Sequence, residues 1–179
     1  MTLVLGVCNP KGEADSYNGL YFRQAELSDM VASKQLHGLP VRTEHGTGDI
    51  GNIVSTHMRS DGGLQCLMEL KNRDLHDQIA QGFVRDGVAL ELSLGYTVDV
   101  KQTDDRFKAT SKSVLEVSLV KKGARSGCHI LAYQDKHRPA FVRTEANTEA
   151  NTAAHCSQHI RNTSEHASCD FSDFVHRAQ

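Results

Sequence analysis

No run of apolar residues in this 179-residue sequence is long enough to cross a bilayer, and tryptophan is absent. The N-terminal apolar run Leu3–Val7 is too short even for a secretory core, and no cleavage-site pattern follows it. A basic block is missing as well: 20 Lys and Arg stand against 22 Asp and Glu, a net charge of −2. That balance argues against bulk attraction to nucleic acid or to an anionic membrane. Phosphate-loop, dinucleotide-binding and thiol-protease signatures are lacking, so no cofactor is expected. Cysteines are few and odd in number. Cys8, Cys66, Cys128, Cys156 and Cys169 are widely spaced, and without a secretion signal they read as free thiols in a reducing compartment. The sequon Asn162-Thr163-Ser164 carries no weight for the same reason.

What is present is a glycine-punctuated domain, with 14 glycines and a length that suits one core plus a tail. In Val88–Val100, Val88, Leu90, Leu92, Leu94, Tyr96, Val98 and Val100 fall on every second position, the period of a half-buried strand. Ser93 then lies on the opposite, polar face with Glu91, Gly95 and Thr97. Further strands are expected at Thr2–Cys8, Leu39–Glu44, Ile50–Met58, Leu64–Leu70, Ser113–Val120 and Cys128–Tyr133. Arg59-Ser60-Asp61-Gly62-Gly63 is a hairpin signal, and Gln102–Arg106 a polar turn. Asn72–Val84 predicts a helix, with Asn72 as cap and Leu75, Ile79 and Phe83 on one face; a shorter helix is expected at Glu26–Ser33. Seven strands without a βαβ rhythm predict an α+β fold, mainly an antiparallel β-barrel with surrounding helices, over residues 1–135.

Residues 136–179 differ in composition. Thr144-Glu145-Ala146-Asn147, Thr148-Glu149-Ala150-Asn151 and Thr152-Ala153-Ala154-His155 form a weak four-residue repeat, short of large apolar residues. A helical or flexible tail is expected, docked through Phe171, Phe174 and Val175. Cys156, His159, His166 and Cys169 have the ligand types and pair spacing of a zinc site, with a short gap between the pairs, so a zinc-binding tail is an alternative reading. Otherwise no metal is expected.

Three separate strands carry the groups that acyl transfer requires. Ser93 is a candidate nucleophile, His45 stands at a strand end before a glycine turn, and Glu116 interrupts the apolar run Val114–Val120. A serine hydroxyl needs a base, the base needs an orienting acceptor, and a carboxylate in an apolar strand needs a partner. Glu44 and Glu91 could equally orient a histidine. In Lys122-Gly123-Ala124-Arg125-Ser126-Gly127, flanking glycines let backbone N–H groups turn inward and Arg125 adds a permanent charge. That loop is a candidate oxyanion-stabilising element.

Leu39-Pro40 with His45 and Ile50-Gly51, then Leu92-Ser93-Leu94, then Val117-Ser118-Leu119 with Gly123-Ala124-Arg125 and Gly127, resemble the herpesvirus capsid maturation proteases, the assemblins. Glu91 to Tyr96 and Glu116 to Val120 also resemble the prohead proteases of tailed phages. The resemblance spans residues 39–131. It implies Ser93 as nucleophile, His45 as general base and Glu116 as the third member, where assemblins carry a second histidine and the phage enzymes an acid. It further implies that Ala124 donates its backbone N–H to the oxyanion beside Gly123, with the side-chain role left to Arg125. The implied activity is a serine endopeptidase that cleaves the internal scaffold protein and itself, after Ala and before Ser. Ala32-Ser33 and Ala167-Ser168 fit that dipeptide. A homodimer inside the procapsid is implied, touching capsid proteins only indirectly, in the host nucleus or, for a phage, the bacterial cytoplasm. A catalytically inactive capsid-assembly module is the alternative from another class.

Overall fold

The alternating stretches form strands. In the computed structural model, which describes residues 2–12, 19–71, 79, 90–103, 106–135 and 138–142, eight strands make one sheet. In chain order they are β1 (Thr2–Asn9), β2 (Pro40–Thr43), β3 (Gly51–Met58), β4 (Leu64–Leu70), β5 (Glu91–Thr103), β6 (Arg106–Val120), β7 (Ile130–Asp135) and β8 (Arg138–Val142). A helix, α1 (Gln24–Ala32), stands beside them. The spatial order is β5-β6-β2-β3-β4-β1-β7-β8, and every neighbouring pair is antiparallel except β2–β6. The sheet curls back on itself. Glu91 of β5 bridges to His129 just ahead of β7, and the Leu92 N–H donates to the Cys128 carbonyl at 3.0 Å. The fold is α+β with a barrel-like, mainly antiparallel sheet, as the sequence predicts. Strand β8 carries that sheet beyond residue 135.

The concave side holds the core. Leu64, Cys66, Met68 and Leu70 of β4, which lies between β1 and β3, are all buried, and so is Leu67 on the other face. Val4, Phe22, Ile53, Leu92, Leu119 and Tyr133 complete the cluster. At Gly6 a Cβ would run into the Leu92 side chain, so the missing side chain lets β1 and β5 meet across the curl. Helix α1 begins two residues earlier than its sequence suggests, because Glu26 reaches back and accepts the Arg23 N–H at 2.6 Å. Leu27 and Met30 are its buried face. Burial alone would raise the Glu26 carboxyl, but the Arg23 N–H and the Lys112 ammonium, 2.9 Å away, outweigh it and hold the group below its ordinary value.

Strands β5 and β6 run further than their apolar alternation. β6 pairs with β2 only at Val117–Leu119, so the far end of the β5–β6 ribbon has no third strand beside it among the described residues. Val100, expected on the buried face, is for that reason 61% exposed. Of the helix predicted at Asn72–Val84 only Ile79 is described; it is helical and buried. The zinc-like tail pattern and the Ala167-Ser168 dipeptide lie outside the described residues.

Cys8, Cys66 and Cys128 are free thiols within the core. Desolvation pushes the Cys128 thiol up to about 12, and burial together with the neighbouring Cys66 raises Cys8 well above 9.0. Neutral thiols are poor nucleophiles. Treating the folded protein with iodoacetamide at pH 8 is expected to leave these three cysteines unmodified in a peptide map, and unfolding in urea to expose all three. The folded pKa of Cys128 exceeds the unfolded one, so its contribution to stability is complete below pH 9.0 and is lost as pH rises toward 12.

Candidate active site

Cross-strand register decides what β5 and β6 present. Leu92 opposes Leu119 and Leu94 opposes Val117 on the core face; Ser93 opposes Ser118 and Gly95 opposes Glu116 on the other. The next pair is Tyr96 with Val114, so Leu115 is an unpaired extra residue, a β-bulge. The bulge turns Val114 into the core, keeps Glu116 beside Gly95 and leaves Leu115 50% exposed at the rim. Gly95 is required there. A Cβ at that position would overlap the Glu116 carboxylate.

His45 comes from a different direction. Strand β2 lies parallel to β6, with Arg42 beside Ser118 and Thr43 beside Leu119, and the chain then turns sharply. Glu44 and His45 both adopt left-handed backbone, with φ of 49° and 55°. For non-glycine residues this costs on the order of 1–3 kcal/mol each, so the surroundings must enforce it. The Glu44 N–H donates to Leu119 O at 3.0 Å, the His45 N–H to Ser118 Oγ at 3.0 Å and the Gly46 N–H to Thr43 O at 2.8 Å. Arg42 and Asp49 close the loop with an ion pair at 2.8 Å.

These elements bring three of the predicted residues together. Ser93 Oγ lies 3.1 Å from His45 Nε2, and His45 Nδ1 lies 2.6 Å from Glu116 Oε1. Glu116 Oε2 accepts the Ser118 hydroxyl at 2.6 Å. With both carboxylate oxygens accepting, Nδ1 carries the proton and Nε2 is left to accept from the Ser93 O–H. Glu116 is 4% exposed, so the polar partners around it are what make burial of the carboxylate tolerable. The imidazole side chain is 46% exposed and faces solvent, where an incoming ligand can reach it. Ser93 is not solvated as an isolated polar-face residue would be: the His45 turn covers it, leaving 4% exposed.

The other two acids hold a loop. Glu44 Oε1 accepts the Lys121 N–H at 2.8 Å, and Glu91 Oε2 accepts the Gly123 N–H at 2.5 Å. Neither serves His45. The second bond engages the N–H of Gly123, one of the expected oxyanion-loop residues, with Glu91 and so pins the loop. Ala124 and Arg125 line a cleft of about 410 Å³ with His45, Ser93, Leu20 and Leu115. Arg125 is 3% exposed. Its Nη2 donates to Leu20 O at 3.0 Å, and its guanidinium lies 5.4 Å from the Phe22 ring and 5.9 Å from the Tyr96 ring. Its Nε–H has no hydrogen-bond partner among the described residues. Sequence reading did not single out Gly95, Ser118 or Phe22 for the site. For Ser118 the signal was present, since it follows Glu116 by two positions on one strand face.

No protein-family model matches the sequence, and no curated protein does. Solved structures do. The protease of Kaposi's sarcoma-associated herpesvirus (KSHV), in complex with a hexapeptide phosphonate inhibitor, is 15% identical with a TM-score of 0.50, over 76% of this chain and 66% of that one. The same viral protease with a dimer disruptor is 16% identical with a TM-score of 0.46, over 88% and 92% of the two chains. At 15% identity the first likeness is one of fold.

Gly95→Ala is expected to destabilise the protein by about 1–3 kcal/mol in urea unfolding, through collision with Glu116. In a Glu116→Ala background the same change should cost less than about 0.5 kcal/mol, because the colliding carboxylate is gone.

Proposed function

We propose that the chain is a serine endopeptidase of viral capsid maturation. The observation that carries this reading is the hydrogen-bonded series from Ser93 through His45 to Glu116, opening on a cleft. Ser93 Oγ attacks the scissile carbonyl while His45 Nε2 takes its proton. The imidazolium so formed is held by Glu116, which stays ionised, and it returns the proton to the leaving amine. Water, deprotonated by the same imidazole, then releases the acyl group. The backbone N–H of Ala124 and the charge of Arg125 stabilise the oxyanion, a role for which the unpartnered Nε–H of Arg125 is a suitable donor.

The substrate in this reading is the internal scaffold protein, with self-cleavage after Ala167. The resemblance of residues 39–131 and the shared fold support it. The working form is a homodimer inside the procapsid, in a host nucleus or a bacterial cytoplasm.

A fluorophosphonate probe tests the chemistry directly. Wild-type protein should be labelled at Ser93. Ser93→Ala and His45→Ala should abolish labelling while circular dichroism is unchanged. Glu116→Gln should slow it about 10³–10⁴-fold, since the amide cannot hold the imidazolium. An unlabelled wild type, or labelling that survives Ser93→Ala, would leave the barrel a non-catalytic module.

A further inference from the structure

We infer that Ser118 is a positioning residue for the His45–Glu116 pair, and that its hydroxyl does what neither member can do alone. The inference rests on the protease reading for its catalytic meaning, but its geometry stands independently.

Ser118 is fully buried in β6, directly opposite Ser93 in the cross-strand register. Its hydroxyl has one proton to give and lone pairs to accept with, and both functions are used. It donates to Glu116 Oε2 at 2.6 Å and accepts the His45 N–H at 3.0 Å. His45 Nδ1 returns to Glu116 Oε1 at 2.6 Å, which closes a ring through one backbone amide, one hydroxyl, one carboxylate and one imidazole. The ring fixes two independent things. It holds the left-handed backbone at His45, from which the imidazole projects, and it holds the carboxylate rotation that aims Oε1 at Nδ1. Without the hydroxyl, Oε2 has no other hydrogen-bond partner among the described residues, and the His45 N–H loses its acceptor. A buried carboxylate with one oxygen unsatisfied is free to rotate or to admit water, and either weakens its hold on the imidazole.

The test uses the full chain with two independent readouts. The first is the rate of Ser93 labelling by a fluorophosphonate; the second is the downfield Nδ1 proton resonance of His45 in NMR, which reports the bond to Glu116 whether or not the protein is a protease. Ser118→Ala is expected to slow labelling about tenfold or more and to broaden or abolish the downfield proton. Ser118→Cys keeps the shape of the side chain, with a somewhat larger atom at its end, and weakens the donor. It should change both readouts in the same direction by less, and it decides the matter if the alanine variant does not fold. An unchanged Nδ1 resonance in a folded variant overturns the inference, as does a wild-type labelling rate. If wild-type protein is never labelled, the protease reading fails while the resonance still decides the role of Ser118.

Discussion

The parallel pairing of β2 with β6 is the constraint on which the site depends. Three residues, Val41 to Thr43, lie alongside Val117 to Leu119, and no other parallel pair exists among the described strands. Parallel neighbours cannot be joined by a tight hairpin, so residues far apart in sequence become adjacent only through the long route of the fold. That pairing delivers the end of β2 to the outer face of β6, where a turn in left-handed backbone lifts His45 over Ser93. A sheet of hairpins alone would have set the imidazole elsewhere.

Around that junction three carboxylates share the work by position. Glu116 is buried and accepts from an imidazole and a hydroxyl, whereas Glu44 and Glu91 accept backbone N–H groups of the loop at 121–123. The same residue type therefore orients a base in one place and clamps a segment in two others. The loop so clamped carries Arg125 against the touching Phe22 and Tyr96 rings, where aromatic groups, a carbonyl and a hydroxyl receive a cation that has no carboxylate partner among the described residues. The buried guanidinium is tolerated here through hydrogen bonds and ring contacts rather than through an ion pair.

Much of this was legible in the sequence, for physical reasons. Alternation in Leu64–Leu70 and Leu90–Leu94 follows from a sheet with a packed face, and a lone carboxylate within Val114–Val120 demanded a partner. The α+β class followed from strand spacing. What was hidden depends on registers that no local pattern encodes. The exposure of Val100 reflects where neighbouring strands stop, the engagement of Gly123 reflects a side chain 32 positions away, and the bulge at Leu115 looks like unbroken strand. Ser118 was visible as a motif residue, but its link to the His45 backbone required the fold.

β6 is two residues longer than β5, and the ladder absorbs the surplus at Leu115 and at Thr110. Side chains on a strand obey an odd–even count, so the orientation of the ribbon's outer half is set by how many residues are skipped, not by which ones they are. Substitution at Leu115 preserves that count. Removing the residue reverses it, and either Val114 is turned out of the core or Glu116 is turned away from the imidazole. The chain's tolerance for altered identity at this point thus coexists with intolerance of altered length.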